Sequence, residues 1–168
     1  MQFKILPLLM LSLALTRCQP RVQPITCADC DSFRCKIDGE AFFANGPWKS
    51  TPLSASTKDG GKHLVMYGRN SGKIVAIEVK ANVPIDTGTY QLPNLPLTGA
   101  YYGPNANSTF RTGSNHKGSL KINSLSEVIN GVSQPVIKGI FSFMAYDSLS
   151  RQQVSITDGE FRIRYRIY

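Results

Sequence analysis

Few residues in this chain have the types and spacing that chemistry needs, and most of them lie near the N-terminus. Cys27-Ala28-Asp29-Cys30 holds two thiols at the separation that seats both on one metal ion, and Cys35 follows shortly after. No second Cys-x-x-Cys completes the set, and His63 and His116 stand alone in polar surroundings, so no metal is expected. In an oxidising compartment Cys27, Cys30 and Cys35 are instead candidates for one disulfide, with one thiol left over. Cys35 also occupies the apolar side of a strand-like stretch, where a free thiol behaves as a small buried hydrophobe. Both alternatives are open from the sequence.

Hydrolytic chemistry finds little support. A covalent mechanism needs a nucleophile held beside a base, and there is neither a Gly-x-Ser-x-Gly elbow nor a motif around either histidine. Asp29 and Asp31 could offer oxygens to calcium, but two carboxylates fall short of a cage. A glycosidase pair could be drawn from any two of the 11 acids, which selects nothing. Asp158, in Thr157-Asp158-Gly159, reads first as a turn former. The chain is therefore expected to be non-enzymatic and to use no cofactor.

Cys18 is the exception, because its position points to a modification. A basic start, Met1-Gln2-Phe3-Lys4, runs into an apolar stretch from Ile5 to Leu15 and then into Leu15-Thr16-Arg17-Cys18. That stretch is too short to span a bilayer and reads as a cleaved export signal over residues 1–17. The cysteine at the cut resembles a bacterial lipobox, with Cys18 lipid-modified as the mature N-terminus. Leu15 and Thr16 suit that motif, whereas Arg17 stands where a small residue is usual. A secreted form and an uncleaved anchor are the alternatives. Acyl chains contribute roughly 0.8 kcal/mol per buried methylene, so two or three would hold the protein on a membrane. Asn107-Ser108-Thr109 is then a glycosylation acceptor in form only.

Past the signal, about 150 residues remain, the size of one domain with an adequate core. Losing Lys4 and Arg17 lowers the formal charge from +8 to +6. The remaining cations are scattered singly, with no basic run, so nucleic acid is not an expected partner. Residues 18–32, with Pro20 and Pro24 among polar neighbours, read as a flexible tether.

The elements that must position these groups are strands. Phe33-Arg34-Cys35-Lys36-Ile37 alternates with period two, and Asp38-Gly39 is a hairpin signal leading to a return over Glu40 to Phe43. His63 to Tyr67 and Lys73 to Val79 flank a second turn at Arg69-Asn70-Ser71-Gly72. Thr89 to Leu92, Gly118 to Leu125 and the strongly apolar Val136 to Tyr146 are further strands. Gln153 to Ile156 and Glu160 to Tyr168 are expected to pair through a hairpin at Thr157-Asp158-Gly159. In the last strand Phe161, Ile163, Tyr165 and Ile167 should be buried, and Arg162, Arg164 and Arg166 wet. An outer-membrane barrel would press those arginines into lipid at a cost of several kcal/mol each, which rules against it. Pro93 to Gly118 reads as loops with brief strands at Ala100 to Tyr102 and near Phe110. Tyr90, Tyr101, Tyr102 and Phe110 lie in this loop-rich middle and are candidates for a binding loop, or else caps on one end of the core.

Two segments carry a family resemblance. Phe33-Arg34-Cys35-Lys36-Ile37-Asp38-Gly39-Glu40 resembles the opening motif of uncharacterised lipoproteins of the DUF6252 type, mostly from Bacteroidetes. Lys138-Gly139-Ile140-Phe141-Ser142-Phe143-Met144-Ala145 and the stretch from Val154 to Phe161 are similar to its closing motifs, and Asp86 to Leu92 to a strand between them. The resemblance implies an all-β domain behind a lipoprotein signal, with no established activity and hence no catalytic residue to carry over. No acidic cluster follows Cys18, which in such lipoproteins favours a periplasm-facing position on the outer membrane.

The expectation is a single antiparallel β-sandwich or flattened barrel over residues 33–168, tethered to a bacterial envelope membrane through Cys18. Its role is expected to be non-enzymatic binding of an envelope protein or small ligand. A calycin-like carrier of an apolar ligand and a purely structural component are the alternatives.

Overall fold

The computed structural model describes residues 31–46, 53–93, 99–105 and 108–168. Among them every regular element is a β-strand. In chain order these are β1 (Asp31–Ile37), β2 (Glu40–Gly46), β3 (Leu53–Lys58), β4 (His63–Asn70) and β5 (Lys73–Lys80). There follow β6 (Gly88–Leu92), β7 (Gly99–Asn105), β8 (Ser108–Arg111) and β9 (Gly118–Ser124). The chain ends with β10 (Glu127–Ile129), β11 (Val132–Gln134), β12 (Val136–Asp147), β13 (Gln152–Arg164) and β14 (Arg166–Ile167).

The local rules operate as expected at the first hairpins. Asp38 and Gly39 both take positive φ, 49° and 87°, the two-residue turn that matches strand twist, and β1 pairs with β2 in unbroken register. Ser71-Gly72 does the same between β4 and β5, and Asn130-Gly131 between the short β10 and β11. Asn130-Gly131 is a strong turn signal, but the three-residue strands that flank it carry too little periodicity to mark a hairpin from sequence.

One sheet dominates, curled into a half-barrel, beside the small β10–β11 sheet. The hydrogen-bonded path runs β3-β4-β5-β7-β8-β12-β13-β1-β2. Strand β12 branches: Lys138 to Phe143 pair with β9, which carries β6, while Tyr146 pairs with Arg111 of β8. Past Arg164 the chain leaves β13 and, as β14, pairs in parallel with β3. The chain thus connects β13 to β3 through Tyr165, and the curled sheet is consistent with a sandwich or a flattened barrel.

Three expectations need correction. Thr157-Asp158-Gly159 makes no hairpin, since β13 runs unbroken from Gln152 to Arg164. Phe141 and Phe143 face Gly159 and Ile156, so β13 holds one extra residue there, a β-bulge with Asp158 at φ 51°. Second, Ile167 is 70% exposed rather than buried, because the step to β14 at Tyr165 ends the alternation. Third, Arg162 and Arg164 are mostly covered and paired. Arg162 bonds Glu127 at 2.8 Å, and the Arg164 backbone N–H donates to Asp31 Oδ1 at 3.2 Å, with its guanidinium Nε 3.6 Å from that oxygen. Strand β1 accordingly begins at Asp31, inside the stretch read as tether. Strand β3 was not foreseen either.

The interior is filled. Phe33, Phe161, Leu64, Met66, Leu120 and Ile137 are among the fully buried side chains, and Phe33 packs on Phe141 at 4.8 Å between ring centres. At about 25 cal/mol per Å² of apolar surface, such burial is the main driving force for the fold.

Candidate functional site

The four aromatic candidates do not share a loop. Tyr101 and Tyr102 lie on β7 and Phe110 on β8, so alternation sends neighbours to opposite faces. Tyr102 and Phe110 are partners in register on the inner face, their ring centres 5.8 Å apart. Tyr101 faces outward. Tyr90, on β6, is half-buried against the core. Its hydroxyl donates to the Asp86 carbonyl at 2.7 Å and accepts from the Asp86 N–H at 3.0 Å, so it fastens a turn. Tyr101, Tyr102 and Phe110 thus lie on two faces of one hairpin, and Tyr90 lies apart from them on β6.

Tyr102 and Phe110 are not wholly sealed off. They border a hollow of about 580 Å³ whose rim includes Asp38, Glu40, Lys73 and Gln153. The hollow exists because three turns end together here. The β1–β2 turn supplies Asp38, the start of β5 supplies Lys73, and the start of β13 supplies Gln153. Asp38 Oδ1 accepts the Ser155 N–H at 2.7 Å and the Asp38 N–H donates to the Ser155 carbonyl at 2.9 Å, which locks the first turn onto β13. Burial raises the Tyr102 phenol above its ordinary range, and the carboxylates of Asp38 and Glu40 push it further the same way. The phenol stays protonated at neutral pH and can donate a hydrogen bond. An aromatic floor, two acids, a lysine and an amide together suit a small polar ligand bearing both charges.

The floor residues Tyr102 and Phe110 are legible in the sequence, whereas the rim is not. Glu40, Lys73 and Gln153 come from three distant strands, and nothing in their local patterns marks them.

The other candidates have structural settings. Cys35 is a free thiol, 5% exposed, and burial pushes its pKa up to about 12, which leaves it unreactive. Cys18, Cys27 and Cys30 lie outside the described residues. His63 Nε2 is 2.7 Å from Glu78 Oε1 at the start of β4, and His116 stacks on Tyr146. Asp158 forms a 2.8 Å ion pair with Lys36 across the bulge. Among the described residues no three His, Cys, Asp or Glu side chains gather where they could hold a metal ion.

Residues 36–163 match the family model described as a domain of unknown function, DUF6252. No curated protein and no solved structure matches the chain.

Proposed function

We propose that this chain, which belongs to the DUF6252 family, is a lipid-anchored binding domain of a bacterial envelope, working by recognition rather than catalysis. The observation that carries the binding reading is the hollow over Tyr102 and Phe110. Its volume, about 580 Å³, lies within the roughly 300–1,000 Å³ span of small-molecule sites, and its rim mixes acid, base and amide. The anchor rests on Cys18 and the apolar segment before it. An outer-membrane position facing the periplasm fits the absence of an acidic cluster after Cys18.

An enclosed carrier has less in its favour. Phe33, Phe141, Phe161 and their neighbours fill the space that a calycin-like ligand would need.

Two measurements test the proposal. Intact mass of membrane-extracted protein should correspond to residues 18–168 plus acyl groups, and Cys18→Ala should leave the membrane fraction. Unacylated protein, or retention of the variant, would overturn the anchor. For binding, ¹⁵N-labelled protein is titrated with zwitterionic dipeptides. Shifts centred on Glu40, Lys73 and Gln153 and abolished by Lys73→Glu are expected. No shift at those residues at millimolar dipeptide favours a purely structural domain.

A further inference from the structure

A second surface lies on the outer side of the same strands. Tyr67, Ala76, Tyr101, Arg111 and Tyr146 are successive cross-strand partners on β4, β5, β7, β8 and β12. Their chain neighbours Met66, Val75, Tyr102, Phe110 and Ala145 point into the core, so this row lies on the opposite face of the sheet, where Tyr67, Tyr101 and Tyr146 are half-buried, Arg111 is exposed and Ala76, 1% exposed, is covered. Every second strand carries a tyrosine, and two strands span about 9.5 Å. The spacer between the first two tyrosines is Ala76, the smallest side chain in the row. The spacer between the second and third is Arg111, which is exposed.

Both end rings are held in place. The Arg69 guanidinium carbon lies 5.9 Å from the centre of Tyr67, and His116 stacks on Tyr146 at 4.9 Å with the planes 7° apart. Beside Tyr146 the surface opens into a hollow of about 430 Å³ bordered by Arg111, Thr112, His116 and Leu149, the last 91% exposed. Rings fixed before binding lose little freedom on contact with a ligand.

We propose that this row is a platform for an acidic polysaccharide, a β-1,4-linked pyranose chain bearing carboxylates. A pyranose ring offers a face of C–H bonds that packs on an aromatic face. A β-1,4-linked chain repeats its orientation every second sugar, a distance close to the tyrosine spacing. Arg111, between two tyrosines, presents a planar fork that grips a carboxylate with two parallel hydrogen bonds. A single-stranded nucleic acid also stacks on tyrosines, but its bases follow one another more closely than every second strand, and its phosphates call for a cation at each step. The row itself supplies one arginine, Arg111, for three tyrosines. The platform is separated from the hollow over Tyr102 and Phe110 by the thickness of β7 and β8, so it stands or falls independently of that site.

The test uses the purified full chain in detergent with carboxymethylcellulose, neutral hydroxyethylcellulose and an oligothymidylate as probes in a surface-binding assay. Carboxymethylcellulose should bind about tenfold or more tighter than either of the others, and Arg111→Gln and Tyr101→Ser should each weaken it by about tenfold. Lys62→Gln, at an exposed turn, should leave it unchanged. Thermal melting establishes that Tyr101→Ser is folded, and Arg111→Gln, at an exposed position, keeps the test decisive if it is not. No binding to carboxymethylcellulose, tighter binding to the oligothymidylate, or indifference to Arg111→Gln would overturn the proposal.

Discussion

Gly139 and Phe161 face each other across the β12–β13 ladder, and one step along it Phe141 faces Gly159 in the reverse sense. Each phenylalanine lies over the glycine opposite, and the two rings are 6.3 Å apart. A β-carbon on Gly139 would sit 2.6 Å from Phe161 Cζ, and one on Gly159 2.6 Å from Phe141 Cδ2. The sequence holds the same glycine-x-phenylalanine spacing at Gly139-Phe141 and at Gly159-Phe161, and this repetition has a cause. Two antiparallel copies put the gap of one under the ring of the other.

Gly139→Ala and Gly159→Ala should each cost about 3 kcal/mol, since ring and backbone oxygen must both move. Gly113→Ala, where a β-carbon meets nothing within 4 Å, should be nearly neutral. Urea titration of the three variants checks this, and equal midpoints would contradict the packing.

Asp158 sits in the left-handed region to form the bulge that shifts the register of both β1 and β12 against β13. Asp158→Gly should change stability by less than about 0.5 kcal/mol, its freedom offsetting the lost Lys36 pair. Asp158→Val should cost about 1–2 kcal/mol, because a β-branched residue is strained at that φ. Chemical denaturation separates the two.

Ile163→Lys should abolish folding, as it would bury a charge at a position 1% exposed. Arg164→Ala should cost about 1–2 kcal/mol rather than nothing, because it strips a partner from the buried carboxylate of Asp31. Circular dichroism of the first variant and a urea midpoint for the second would reveal the difference.

Glu127 links the small sheet to the large one. Burial alone would raise its carboxyl, but hydrogen bonds from Lys138 Nζ at 2.9 Å and Arg162 Nε at 2.8 Å outweigh that and hold it below the usual 4.5. A lowered folded-state value means the unfolded chain takes up the proton first. The stability from this carboxylate is therefore complete above 4.5 and is lost as pH falls through the lower folded value. Wild type and Glu127→Gln should differ at pH 6 and converge towards pH 3. A constant gap across that range would mean the network contributes no pH-dependent stability.

The strands were legible where alternation is long and turns are marked. The Asp38-Gly39 and Ser71-Gly72 hairpins, β9 and β12 emerge from period-two burial and glycine chemistry. The bulge was half legible. Buried positions switch from Val154 and Ile156 to Phe161 and Ile163, an even-to-odd change that a hairpin or one extra residue produces equally well. Only pairing of both flanks with the same neighbours β1 and β12 separates the two.

The sites followed the same division. That Tyr101 and Tyr102 point apart is a property of any strand, and sequence alone determined the all-β class, the first hairpins and the apolar face of Phe161 and Ile163. Which strands become neighbours depends on pairing between segments far apart in the chain. Tyr67, Tyr101 and Tyr146 align because β4, β5, β7, β8 and β12 lie side by side, and Glu40, Lys73 and Gln153 meet because three turns reach one end of the curled sheet. Hydrogen bonding along a strand is the same in any register, so local pattern cannot choose partners. The choice came from packing the rings of Phe33, Phe141 and Phe161 into one interior, a condition on the whole chain at once.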